Sequence, residues 1–379
     1  MMLRFGDPAK LKTKRVVFEE IFIALDSGTL EQLKELSSRR RAVEESINES
    51  SFMTEVIARE MAGGLTSRYE QDLQKLEQYL PLLENLMIHV QSLSNNQIIV
   101  RWTSGLKIRW TSALSASSIF NLRGAKFYNI DSLHLELGMN LFLYGAILRE
   151  RALEVLTEDL VQSATLYRKA AGVYHYLVNE VLQSLQPPFT QERPPECTSS
   201  VCSIMSLICL AEAQAVTTRK AEEKGTTHSL LAKLHYGIAE LFDEAGSILH
   251  SVKKDCKDIS ARFVGFISSC RALHELRSQK HLAEDLKGAG QLGVAIGVLR
   301  YGLANAKAKM PGEESWCLVF RQEMDAVCEM LRKFEHENEF VWRNKITTGD
   351  ELPLLQGTRI VSLIPYSTQR WERELAFRI

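Results

Sequence analysis

Gly288, Gly290 and Gly293 stand at the spacing G-x-G-x-x-G, within Gly288-Ala289-Gly290-Gln291-Leu292-Gly293. Such a loop cradles a pyrophosphate when a strand precedes it and a helix follows. Here the preceding stretch, HLAEDLK, is charged and no strand–helix–strand unit surrounds it. These glycines, with Gly297 and Gly302, are read instead as points of close helix approach. Cys197, Cys202 and Cys209 lack the spacing of a zinc site and have no histidine nearby. His134, His175, His235, His250 and His274 fall within helical patterns, without a paired carboxylate and nucleophile. No triad is read. No enzyme, cofactor or metal is expected.

The elements around these residues read as helices. Leu30, Leu33, Leu36 and Ala42 recur at helical spacing, with Arg39, Arg40 and Arg41 as a solvated face beside Glu44 and Glu45. Further helices are expected over 51–63 and 65–92, the latter kinked or divided at Pro81. Residues 16–24 (VVFEEIFIA) leave strand and helix open. Gln97–Trp102 and Leu106–Trp110 are rich in β-branched and aromatic residues and flank Thr103-Ser104-Gly105, which predicts a β-hairpin. Residues 157–185 carry the cleanest amphipathic stripe, from Leu160 to Leu185, with Thr157 as N-cap. The four-proline linker 186–197 is read as an exposed loop. Helices follow over 198–224, closed by Gly225, then over 229–252, 259–303 with breaks, and 314–342. The tail from Leu352, with Pro353 and Pro365, reads as an extended, docked strap.

Composition bounds the function. The 379 residues carry 46 basic and 47 acidic side chains, a formal net charge of -1, which argues against a general nucleic-acid binder. Seven irregularly spaced cysteines suit reduced, buried thiols better than a disulfide framework. The N-terminal residues show no apolar signal segment, and the longest apolar runs are too short to span a bilayer. A mainly α chain is expected: one elongated domain over 1–379, with an N-terminal part over 1–95, a hairpin over 96–112, a helical solenoid over 130–345 and a strap over 350–379.

Four blocks resemble one known family. Ser132–Phe142 (SLHLELGMNLF) resembles a helix reading S-L-x-F-E-x-x-x-V-L-F-N. Tyr167–Tyr174 (YRKAAGVY) resembles F-Q-x-A-A-G-A-F. Leu207–Gln214 (LICLAEAQ), with Ala232-Lys233-Leu234, resembles L-M-L-A-Q-A-Q followed by A-K-L. Glu337–Trp342 (ENEFVW) resembles D-N-D-x-I-Y. In order and spacing, these are similar to the Bro-one domain of Alix and its relatives, from about residue 60 to 365, and short single-domain plant-type members look closest. The resemblance implies a boomerang-shaped helical solenoid with a tetratricopeptide-like core and a small sheet. It implies a non-enzymatic scaffold of the endosomal ESCRT pathway, cytoplasmic and recruited peripherally to late endosomes. Its implied partner is the C-terminal amphipathic helix of a Snf-type ESCRT-III subunit, a charged multivesicular body protein. Such recognition lays aliphatic anchors into an apolar groove.

Carried over residue by residue, the implied groove falls on Leu230 and Leu234, one turn apart, with Lys220 as its lysine. The family's aromatic one turn before that lysine falls on Thr217, and a second family lysine falls on Val161. Both are departures, which keep open an adaptor that binds or competes for another ESCRT component. The tyrosine of D-N-D-x-I-Y falls on Trp342, a C-terminal docking position where no phosphotyrosine switch is expected. From the pattern alone, Leu234 sits inside its helix's apolar stripe, where core packing is the better reading. Leu230 sits at the stripe's edge, where burial and exposure stand even.

Overall fold

The computed structural model describes residues 2–48, 67–116, 126–183, 193–252, 258–369 and 373–379. The helix expected over 51–63 and most of the proline-rich linker lie outside them. Residues 16–24, ambiguous by period, contain a single helical turn, α1 (Phe18–Ile21). Then come α2 (Ser27–Asn48), α3 (Arg68–Ser92) and α4 (Gln97–Ser104). Strands β1 (Ile108–Thr111) and β2 (Phe127–Ile130) precede α5 (Leu133–Glu154) and α6 (Leu160–Tyr176). The chain continues through α7 (Ser199–Glu223), α8 (His228–Val252), α9 (Ala261–Gly288), α10 (Leu292–Ala308) and α11 (Glu314–Glu337).

From α5 onward each helix packs on the next, which is the solenoid. Its boundaries follow local chemistry. The side chains of Ser132, Thr198 and Ser260 accept hydrogen bonds from the first-turn amides of α5, α7 and α9. Gly225 closes α7 with φ 72°, the left-handed conformation that glycine adopts without penalty. Among the described residues, a small cluster of Ala152, Tyr167, Ala213 and Val216 and two large cores serve this length. One joins the N-terminal segment, the sheet and α2 to α9; a second, around Leu276, Ile296, Leu299 and Val327, joins α9 to α11.

Several expectations are corrected. The small sheet is present, but β1 pairs antiparallel with β2, Ile108 opposite Ile130, and not with 97–102. That segment is α4, because Asn96 caps it through Ile98 N at 2.8 Å and Ile99 alone turns fully inward while Ile98 and Val100 face out. One capped turn outweighs β-propensity. Pro81 lies buried within an unbroken α3. Asp159, not Thr157, caps α6, accepting from Val161 N at 2.7 Å and Gln162 N at 3.1 Å. The end of the linker is not exposed: Pro195, Glu196 and Cys197 are buried, and the Glu196 carboxylate accepts from the amides of Ala113 and Leu114.

Arg40 is not on a solvated face. It is fully buried, and its Nε lies 2.6 Å from Glu136 Oε1. Tyr79 and Trp110 donate to the same carboxylate, at 3.1 and 2.6 Å. A second buried pair joins Arg149 of α5 to Glu212 of α7 in a two-pronged contact at 2.6 and 2.5 Å. Burial opposes the charge on Arg149, but Glu212 outweighs it and holds the guanidinium well above its ordinary pKa. Glu136 and Glu212 belong to the first and third blocks of the family resemblance.

The strap crosses α10, α8 and α6 in turn. Thr347 N donates to Gly293 O at 3.3 Å, Thr358 N to Lys233 O at 3.0 Å and Ile364 N to Arg168 O at 3.0 Å. A Cβ at Gly297 would lie 2.0 Å from Thr347 O, and one at Gly172 would lie 1.8 Å from Ile364 O. Gly293 and Gly297 therefore admit the strap's backbone and not a neighbouring helix. Gly302 does meet a helix, at Gln279 of α9.

Candidate partner-binding face

Gln214 organises the face that the sequence singles out. Its buried carboxamide donates to Leu234 O of α8 and to Thr358 O of the strap, each at 2.9 Å. Its oxygen accepts from Ile360 N at 3.2 Å. One side chain of α7 thus fastens α8 and the strap together. It ends the LICLAEAQ block, yet its role as a clamp needs three segments distant in sequence.

Around this clamp the expected residues separate. Leu230, one turn before Leu234 on α8, is 41% exposed. Leu234 is 2% exposed and belongs to the core stripe with Leu231, Ile238 and Leu241. As a surface anchor Leu234 is therefore corrected: four residues along α8 carry it from the rim to the interior. Lys220 is half-buried, without an ion-pair partner among the described residues. Thr217 donates its hydroxyl to Ala213 O at 2.8 Å, within its own helix, so it supplies no large apolar contact. Val161 is exposed in the first turn of α6. Ile360 of the strap, which sequence reasoning did not single out, is half-exposed beside Gln214. Trp342 lies apart, in the π-turn Asn338–Trp342 that ends α11, half-exposed and donating to Glu337 Oε1 at 3.0 Å.

A separate cleft of about 820 Å³ lies among the N-terminal segment, α5, α7, α8, α9 and α11, and its lining includes Glu222, His235, His274, Arg277 and Glu323. Of the histidines read as having no paired carboxylate and nucleophile, His235 has a carboxylate beside it, which His281 shares. His235 Nε2 is 3.1 Å from Glu222 Oε1, and His281 Nε2 is 3.3 Å from the same oxygen. Burial pushes the Glu222 carboxyl up, but the hydrogen bonds from His235 and His281 outweigh it and hold the group below the carboxylate range. Burial pushes His274 well below its ordinary value.

Residues 39–376 match the family model for the BRO1-like domain. The chain belongs to the BRO1-like domain family. Human BRO1 domain-containing protein BROX is 28% identical over 229 residues, which cover 56% of this chain and 54% of that protein. The chain thus spans about half the length of the BROX proteins it matches. The Caenorhabditis elegans Apoptosis-linked gene 2-interacting protein X 1 is 23% identical over 318 residues, covering 80% of this chain and 32% of that protein. Among solved structures, the ALIX BRO1 domain in complex with CHMP4C superposes with a TM-score of 0.68 at 19% identity, over 95% of both chains. ALIX bound to a viral late domain gives 0.72 at 20% identity, over 95% of this chain and 48% of that one. A structure describing endosomal targeting by the Bro1 domain gives 0.62 at 15% identity, over 96% of this chain and 91% of that one. The BRO1-like fold is therefore shared at low identity, and the family is one of ESCRT-related scaffolds and adaptors.

Proposed function

We propose that this protein is a non-enzymatic adaptor of the endosomal ESCRT pathway. It holds the C-terminal amphipathic helix of a Snf-type ESCRT-III subunit and works in multivesicular body sorting, from the cytoplasm, as a peripheral component of the late endosomal membrane. The carrying observation is Leu230. It is an exposed leucine on a rigid helix, one turn from the Gln214 clamp, with exposed Ile360 on the strap side of that clamp. Exposed aliphatic groups on a fixed frame are what helix-in-groove recognition requires, and Lys220 adds an uncommitted positive charge for an acidic helix. The solved ALIX complex with CHMP4C supports the same kind of partner.

A second reading has its own observation. Thr217, Val161 and the buried Leu234 leave fewer anchors than the family's groove implies, so a different ESCRT component is the alternative occupant. Anisotropy of a fluorescent ESCRT-III C-terminal helix tests the first reading. Leu230→Asp is expected to weaken binding by about tenfold or more, since few buried contacts carry most of an interface's energy. Wild-type affinity in a folded Leu230→Asp variant sinks it. Binding to another ESCRT component, lost in the same variant, selects the alternative.

A further inference from the structure

Three helices each bring one metal-binding side chain together at the edge of the cleft: Glu222 from the end of α7, His235 from α8 and His281 from α9. Their ligand atoms all lie within 4.8 Å of one another. The two histidine nitrogens stand 3.1 and 3.3 Å from Glu222 Oε1. In a tetrahedral zinc site with bonds of about 2.0–2.1 Å, neighbouring donors are about 3.3 Å apart. The two nitrogen–oxygen edges therefore already have the length that an ion would impose. Two imidazoles and one carboxylate form a donor set that zinc accepts, leaving a further position open.

The surroundings supply outer partners. His235 Nδ1 faces His274 Nδ1 at 3.1 Å, and His281 Nδ1 faces His228 Nδ1 at 3.1 Å. When Nε2–H donates to Glu222, each Nδ1 must accept from the outer histidine. When Nε2 binds a metal, Nδ1 carries the hydrogen and donates outward, as metal-bound histidines usually do. The Nδ1–Nδ1 bond of each pair can run in either direction, and bonds to the ion would replace the two Nε2–H bonds to Glu222, so the first ligands are held by groups suited to either state. Glu222 and His235 line the cleft, which gives the open position access to solvent.

We propose that Glu222, His235 and His281 bind a divalent transition-metal ion of the zinc class, which ties α7, α8 and α9 together and keeps one coordination position facing the cleft. This site does not depend on the adaptor reading. The test uses the full chain, treated with chelator and titrated with zinc chloride by calorimetry, with cobalt(II) as a spectroscopic substitute. One equivalent of zinc is expected, with a rise in the thermal midpoint. Glu222→Ala and His281→Ala are used because both side chains are partly exposed and their loss spares the core. His228→Ala should weaken zinc binding by about 10-fold, as for an outer partner, and His281→Ala by more. His250→Ala, elsewhere on α8, should leave it unchanged. Absent uptake, or affinity indifferent to Glu222→Ala and His281→Ala, overturns the proposal. So does a thiolate charge-transfer band from bound cobalt, which would place the ion on cysteines.

Discussion

At the residue scale, two leucines one turn apart have opposite duties. Leu230→Asp adds charge where water already reaches, so its thermal midpoint should stay near that of the wild type. Leu234 is 2% exposed, and an unpaired carboxylate there has no solvent or partner. Leu234→Asp should lower stability by about 3 kcal/mol or more, read from urea denaturation; a midpoint equal to that of Leu230→Asp would show Leu234 to be accessible. Arg40 is a second test. Removing its guanidinium strands Glu136 in the core, still facing Tyr79 and Trp110. Arg40→Met should cost about 3–5 kcal/mol, and Arg40→Met combined with Glu136→Gln should recover a large part of it, because the cost lies in the uncompensated charge. Equal losses in the single and double variants would contradict that origin.

At the scale of elements, the strap depends on glycine. At Gly172 a methyl group would collide with the Ile364 carbonyl, whose backbone amide is bonded to Arg168 O. Gly172→Ala should therefore lift the strap from α6, at a cost of about 1–3 kcal/mol, and raise hydrogen exchange across 358–366. Gly312 meets no atom within 4 Å, so Gly312→Ala serves as the neutral control. Undisturbed exchange in Gly172→Ala would mean the strap is held by its other crossings. The same scale explains the misread hairpin. Residues 97–102 have the composition of a strand, but the edge of β1 opposite β2 is taken by the N-terminal segment, through Lys14 N to Arg109 O at 3.1 Å and Thr111 N to Lys12 O at 2.8 Å. Both edges are filled by distant segments, and the Asn96 cap turns 97–104 into helix.

At the scale of the whole molecule, ion pairs between helices tie stability to pH. Burial pushes the Glu323 carboxyl of α11 up, but Arg277 and Lys280 of α9 outweigh it and bring the group down to about 2. Its folded-state pKa lies below its unfolded value of about 4.3. Its stabilising contribution is thus complete above that value and is lost as pH falls from about 4 towards 2. The urea midpoint should drop through that window, and Glu323→Gln should flatten the drop; an unchanged acid limb in Glu323→Gln would remove this pair as a cause. By itself, the sequence determined the helical class, most of the later helices and the family resemblance, because apolar period and the left-handed stop at Gly225 are local signals. It could not determine which faces meet. Whether Arg40 lies in water or in the core, whether Leu234 is anchor or packing, and whether His235 and His281 share Glu222 are settled by α2, α5, α7, α8 and α9 closing on one another. Burial and charge pairing between residues far apart in the chain exist only once that packing is complete.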